Sequence, residues 1–414
     1  MVVIPRILIL VQTTLGLITL VASTAGYALT YHNQELRLGG DSYTLNVPAG
    51  YTLELLTTEL DGPRLMTFLA NGDLLIGSKS GRVYRLAPPY TRPGVLVTLD
   101  DYPHSLAWRD GTLYIAQTDG LYRVPYSLGQ TRIDADAVTL VAPLPTGGHR
   151  SRSVGVGPDG RIYVSLGISG NCSNEYLGAD YAFDDRRGGV LVLIETQGKP
   201  YFEPYATGLR NPVGFDWHPE SGELYASNNG PDHLGFEQPP EYFSKLEAGS
   251  FHGMPWFQYN GRNVLRDNCI RRRPPRPITE VVKPLATFPA RNAPMGVVFV
   301  PPGALDPGLE GNAIVALRGS WGTRPRGGFS GDPATRRPPR IMLVRFENGL
   351  PRDVIDFVSG FQQLNGERLA RPVGVAIGPA GALYFTSDGG MAQALFRLRR
   401  NADPDPGLQR TPGE

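Results

Sequence analysis

Apolar and polar residues alternate in short runs along this chain, and each run closes on a glycine-containing turn. One unit recurs six times: NGDLLIGSKSG from Asn71, RDGTLYIAQTDG from Arg109, PDGRIYVSLGISG from Pro158, ESGELYASNNG from Glu220, LEGNAIVALRGSWG from Leu309 and PAGALYFTSDGG from Pro379. A second run precedes each copy: RLMTFLA, HSLAWRD, RSVGVGP, NPVGFDW, APMGVVF and RPVGVAI, all apolar and rich in small residues, as strands crowded around an axis need to be. Runs such as RVYRLAP, GLYRVPY, GVLVLIE and RIMLVRF supply a third and fourth strand per unit. The pattern predicts an all-β chain, a six-bladed β-propeller of four-stranded antiparallel blades. Successive copies lie from about forty to about ninety residues apart, which places long insertion loops on one face, where function is expected. The run YTLNVPAGYTLELLT, residues 43 to 57, is an extra strand-forming segment suited to completing the last blade.

Composition adjusts this picture at the ends. Residues 1–30 carry one arginine and then an apolar run from Ile7 to Ala22, which reads as a signal peptide or an N-terminal membrane anchor. The propeller is expected over 31–400, and the Pro-rich polar tail 401–414 is expected to be disordered. The body is therefore expected in the periplasm or secreted, with membrane anchoring one of two outcomes for the N-terminal segment. In such a compartment Cys172 and Cys269 can pair, although two free buried thiols fit the sequence equally well. With 40 basic and 39 acidic residues the net charge is +1, so nucleic acid is not an expected partner and any functional charge is local.

That local charge gathers where the innermost strands begin. Reading the rim from the repeat gives Arg64, His104, His149 with Arg152, Arg210 with Asn211, Arg291 with Asn292, and Arg371, while Arg318 ends a second strand and faces the same way. Convergent guanidinium groups in a concave site repel one another unless an anion joins them, and arginine matches carboxylates with paired hydrogen bonds. A small polycarboxylate is the expected ligand. Pairing with Asp or Glu of neighbouring blades is the alternative.

In HRSRSVGVGPDGRIYVSLG, GLRNPVGF, SNNGPDHLG, GSFHGMPWFQYNG, ARNAPMGV, VALRGSWG and RPVGVAIGPAGALYFTSDGG, taken in this order, the chain resembles the soluble quinoprotein glucose and sorbosone dehydrogenases over about residues 50 to 400. These are six-bladed propellers that hold pyrroloquinoline quinone (PQQ) and a calcium ion. The resemblance implies His149 as the catalytic base and Arg210 as the group facing the reactive quinone oxygen. It implies Asn211, Arg318, Arg371, Arg291 and Arg152 as cofactor-binding residues, and the carbonyls of Gly230 and Pro231 as calcium ligands. Arg318 stands where relatives place a lysine or histidine, and Leu369 where the glucose-oxidising branch has a further arginine. The implied substrate is an aldose, a sorbosone-like sugar aldehyde or a related polyol, with a cytochrome or quinone as electron acceptor. Two other functions fit a propeller: a calcium-dependent sugar lactonase, which wants several axial carboxylates, and a non-catalytic extracytoplasmic module that binds carbohydrate or protein.

Overall fold

The computed structural model describes residues 29–401, so nearly all of the N-terminal segment and the tail lie outside the described residues. Six sheets surround a common axis. Their innermost strands are Pro63–Phe68, Ser105–Arg109, Val154–Val156, Phe215–Trp217, Pro294–Phe299 and Pro372–Ile377, which we number as blades 1 to 6. Each is followed by an antiparallel strand built from the repeated unit: Leu74–Ser78, Thr112–Gln117, Ile162–Leu166, Leu224–Asn228, Ala313–Leu317 and Leu383–Asp388. Blade 3 gains a fifth strand, Ser250–Phe251, which runs parallel to Tyr201–Thr207. Among the described residues the only helical elements are 3-10 turns of three residues, and no helix is long and apolar enough to cross a membrane.

Ring closure follows the sequence expectation in part. Tyr51–Thr57 becomes the outer strand of blade 6, with Leu53 opposite Leu398 and Leu55 opposite Phe396. The residues before it do something different: Asp41–Pro48 turns back on Tyr31–Leu38 as a separate hairpin. That hairpin leans on blade 5 through paired backbone bonds between Asn46 and Ser359, at 3.0 and 3.1 Å. Pairing Tyr51–Thr57 with Gln393–Arg400 joins the start and finish of the propeller in one sheet, which removes a free edge from the ring.

Why the inner strands are rich in small residues is now clear. A Cβ added to Gly374 of blade 6 would stand 2.5 Å from the Arg64 carbonyl of blade 1, and one on Gly296 would stand 2.7 Å from the Val373 carbonyl. Only glycine allows adjacent inner strands to approach so closely. Hydroxyls on the second strands fix the offset between blades, as Thr386 Oγ1 donates to the Arg64 carbonyl at 2.7 Å and Ser227 Oγ to the Met295 carbonyl at 2.7 Å. These bonds tie blade 6 to blade 1 and blade 4 to blade 5 just below the rim residues' strand ends.

Leu53 is almost fully buried in the seam that closes the ring. Leu53→Ala should lower unfolding free energy by about 2–5 kcal/mol, read from urea denaturation. A loss below about 1 kcal/mol would mean that the seam contributes little to closure.

Candidate active site

The rim is built by two sets of positions. The first is the start of each inner strand, as the sequence predicts. The second, which rim reading found only at Arg318, is the residue that ends or follows each second strand: Lys79, Thr118, Gly167, Asn229, Arg318 and Asp388. Because the repeat aligns these residues as well as it aligns the first set, the signal for them was present in the sequence.

Asp388 organises one side of this rim. Its side chain is fully buried and takes Arg64 Nη1 at 2.6 Å, Lys79 Nζ at 2.5 Å and Arg318 Nε at 2.7 Å. Burial opposes its charge, but Arg64, Arg318 and Lys79 outweigh burial and hold the carboxyl far below the usual range. Pairing of rim arginines with an acid from another blade, the alternative weighed above, is thus realised at Arg64 and Arg318. It does not neutralise the cluster, since three cations share one carboxylate. Arg371 adds to the positive side, donating to the carbonyls of Arg318 at 3.2 Å and Gly319 at 3.1 Å. Burial first, then Arg318 and Arg368, press its pKa down to about 9. Arg368 is lowered to about 10 by burial, Arg336 and Arg318. Guanidinium groups depressed this far are short of counter-charge, so an anion placed among them is strongly favoured.

His149 and Arg210 meet on the other side, through the backbone of Ile168. The Ile168 N–H donates to the Arg210 carbonyl at 2.8 Å, and the Ile168 carbonyl accepts from His149 Nδ1. Gly167 makes this convergence feasible, because a Cβ there would lie 2.5 Å from Asn211 Oδ1 and 2.9 Å from His149 Cβ. Burial, followed by the Arg210 charge, lowers the His149 pKa to about 4. The imidazole is therefore neutral at neutral pH, with its proton on Nδ1 and the Nε2 lone pair without a partner among the described residues. Arg210 is buried; its Nη2 donates to Asn171 Oδ1 at 2.7 Å and its Nε has no partner among the described residues.

The remaining predicted residues sit at the rim with other tasks. Arg152 is buried, and spends its donors on the carbonyls of His149 (2.5 Å), Ser151 (2.9 Å) and Pro145 (2.8 Å), so it braces the loop that carries the histidine. Asn211 holds the blade 4 strand end, its N–H donating to Asn228 Oδ1 at 2.9 Å. Arg291 turns into the 230–238 loop, donating to the carbonyls of Pro231, Gly235 and Gln238 and to Asp232 Oδ1. The Gly230 N–H donates to the buried Glu241 carboxylate, whose pKa burial pushes up to about 7. His104 is also buried and neutral, bridging the Arg152 carbonyl through Nδ1 and Arg64 through Nε2. Cys172 and Cys269 form a disulfide, which ties the loop bearing Asn171 to the 267–269 segment and settles the open question of their pairing. Sequence reasoning missed Asn171, Ile168 and Glu241: Ile168 lies in the third repeat copy but acts through its backbone, Glu241 opens the third strand of blade 4, and Asn171 sits in an insertion loop that no repeat describes.

A family model described as TrAA12-like matches residues 45–240. An uncharacterised protein of Borreliella burgdorferi is 25% identical over 360 residues, 84% of this chain and 89% of that protein. Among solved structures, the Trichoderma reesei Carbohydrate-Active Enzymes Family AA12 protein, determined with calcium, superposes with a TM-score of 0.71 at 18% identity, covering 91% of this chain and 100% of that one. The holo PQQ domain of Coprinopsis cinerea pyranose dehydrogenase gives 0.65 at 19% identity, over 86% of this chain and 97% of that one. The PQQ-bound aldose sugar dehydrogenase of Streptomyces coelicolor gives 0.58 at 19%, over 85% and 99%. The fold is the six-bladed propeller of the quinoprotein sugar dehydrogenases, in agreement with the resemblance read from the sequence motifs.

Asp388→Asn leaves three cations around a neutral amide and should cost about 3–5 kcal/mol at pH 7, measured by urea unfolding. Because the folded carboxyl lies below its ordinary value of 3.8, the advantage of wild type is complete above that pH and shrinks as acid takes the pH down through the folded value. An equal gap at pH 7 and in strong acid would show that the carboxylate charge is not the cause.

Proposed function

We propose that this chain is a PQQ-dependent oxidoreductase acting on an aldose, a sugar aldehyde or a related polyol. The observation that carries the reading is a neutral histidine with a free Nε2 set beside Arg210 in a rim crowded with under-compensated guanidinium groups. The quinone fits the donor set. Its carboxylates match Arg371 and Arg318, and the buried Nε atoms of Arg210 and Arg336, which have no partner among the described residues, are donors suited to an acceptor. When bound, PQQ supplies a two-electron acceptor for hydride.

The chain's own residues supply the rest. His149 Nε2 accepts the substrate hydroxyl proton, while the Ile168 carbonyl holds Nδ1–H and keeps the lone pair on the nitrogen that faces the rim. Arg210 stays charged in a buried site and stabilises negative charge building on a neighbouring oxygen, as an oxyanion donor does. Arg152 holds the His149 loop by its carbonyl, so the base cannot swing away. The donor set suits calcium less well, because the Pro231 carbonyl is already an acceptor for the Arg291 guanidinium. No step here depends on the ion. The disulfide supports an oxidising, extracytoplasmic location, from which electrons would pass to a cytochrome or quinone.

Purified protein mixed with PQQ should bind it with saturation and then reduce an artificial acceptor when given aldoses. His149→Asn should keep the quinone and lose about 10²–10⁴-fold in kcat. A propeller that serves only for binding, or a lactonase, would show neither quinone-dependent signal. In the protein without quinone, NMR titration should find the His149 imidazole neutral down to about pH 4, protonating only below it. A midpoint near that of an exposed histidine, about 6.5, would remove the base from this account.

A further inference from the structure

The loop that begins SNNGPDHLG is where a calcium ion is expected, at the Gly230 and Pro231 carbonyls. In this chain a cation already occupies one of the two, the Pro231 carbonyl. Arg291 Nη1 donates to the Pro231 carbonyl and to Asp232 Oδ1 at 2.9 Å, Nε to the Gly235 carbonyl at 2.8 Å, and Nη2 to the Gln238 carbonyl. One guanidinium thus gathers four oxygens from residues 231–238 of a single loop, the Pro231 carbonyl among them. Its backbone sits at φ +68°, in a region an L residue rarely adopts, so the placement is held by the surrounding structure.

Charge counting points the same way. A divalent ion touching the Pro231 oxygen would stand only a few ångströms from Arg291 in a buried setting, and Arg210 lies close by, 3.9 Å from Asp232. Asp232 is shared between these two arginines, and the other acid beside them, the buried Glu241, is spent on the Gly230 N–H with its pKa pushed up by burial to about 7. Calcium sites instead collect carboxylates around the ion.

We infer that the Arg291 guanidinium takes the place of the calcium ion at the Gly230–Pro231 loop, so that an anionic quinone is held here without a divalent metal. This rests on the quinone reading given above. Arg291 orders the carbonyl loop through its four acceptors and leaves a fixed positive charge beside Arg210, where a quinone oxygen or carboxylate can face it. A guanidinium offers no empty coordination position, so binding at this loop is set by charge and hydrogen bonds.

The test is PQQ binding by calorimetry and by the absorbance of the bound quinone, in EGTA and in excess calcium. Wild type should show dissociation constants equal within about twofold in the two buffers. Binding that is about tenfold or more tighter with calcium overturns the inference while leaving the quinone reading intact. No binding in either buffer sinks the quinone reading and the inference with it. Arg291→Gln should weaken binding in EGTA by about tenfold or more, with calcium restoring part of the loss; unchanged binding in EGTA would count against the role given to Arg291. Should Arg291→Gln fail to fold, as judged by its melting curve, the calcium comparison on wild type decides alone.

Discussion

Everything at the rim depends on positive charge sunk into protein with too little negative charge to match it. Arg64, Lys79 and Arg318 converge on one buried carboxylate, and Arg371 and Arg368 stand behind them with depressed pKa values. Such a cluster is tolerable because Asp388 is fully buried and fully ionised, and because backbone carbonyls take the remaining donors. The imbalance left over favours an anionic ligand.

The same rim keeps its histidine uncharged. The cations that favour an anion also raise the cost of a second positive charge, so burial and Arg210 together leave His149 as a neutral imidazole. A base and an anion-binding surface therefore arise from one electrostatic design. The Ile168 backbone sets the direction of the lone pair, and Gly167 provides the room, so two residues without chemistry of their own decide where the chemistry sits.

Much of this was legible in the chain. The glycines of the inner strands are a local signal: Gly296 is needed where blade 5 meets blade 6 and Gly374 where blade 6 meets blade 1, and the repeat displays them at equal offsets. His149, Arg152, Arg210, Arg291 and Arg371 could be placed at the rim from the start of each inner strand. What each guanidinium does there could not, because Arg152 and Arg291 reach backward into insertion loops whose folding no repeat describes. Asp41–Pro48 is a further case. Its alternation marks a strand, yet only the packing against Ser359 tells that it pairs with Tyr31–Leu38 and leaves ring closure to Tyr51–Thr57.

The sequence by itself determined the blade architecture and the cationic character of one mouth, since both follow from short-range alternation and from residue type at a repeated offset. Tertiary structure alone decided which cations are neutralised, which are left to an incoming anion, and that Arg291 fills a loop where a metal was expected. Those outcomes turn on distances of a few ångströms between residues far apart in the chain, where burial makes each unit of charge count for much more than it does in water.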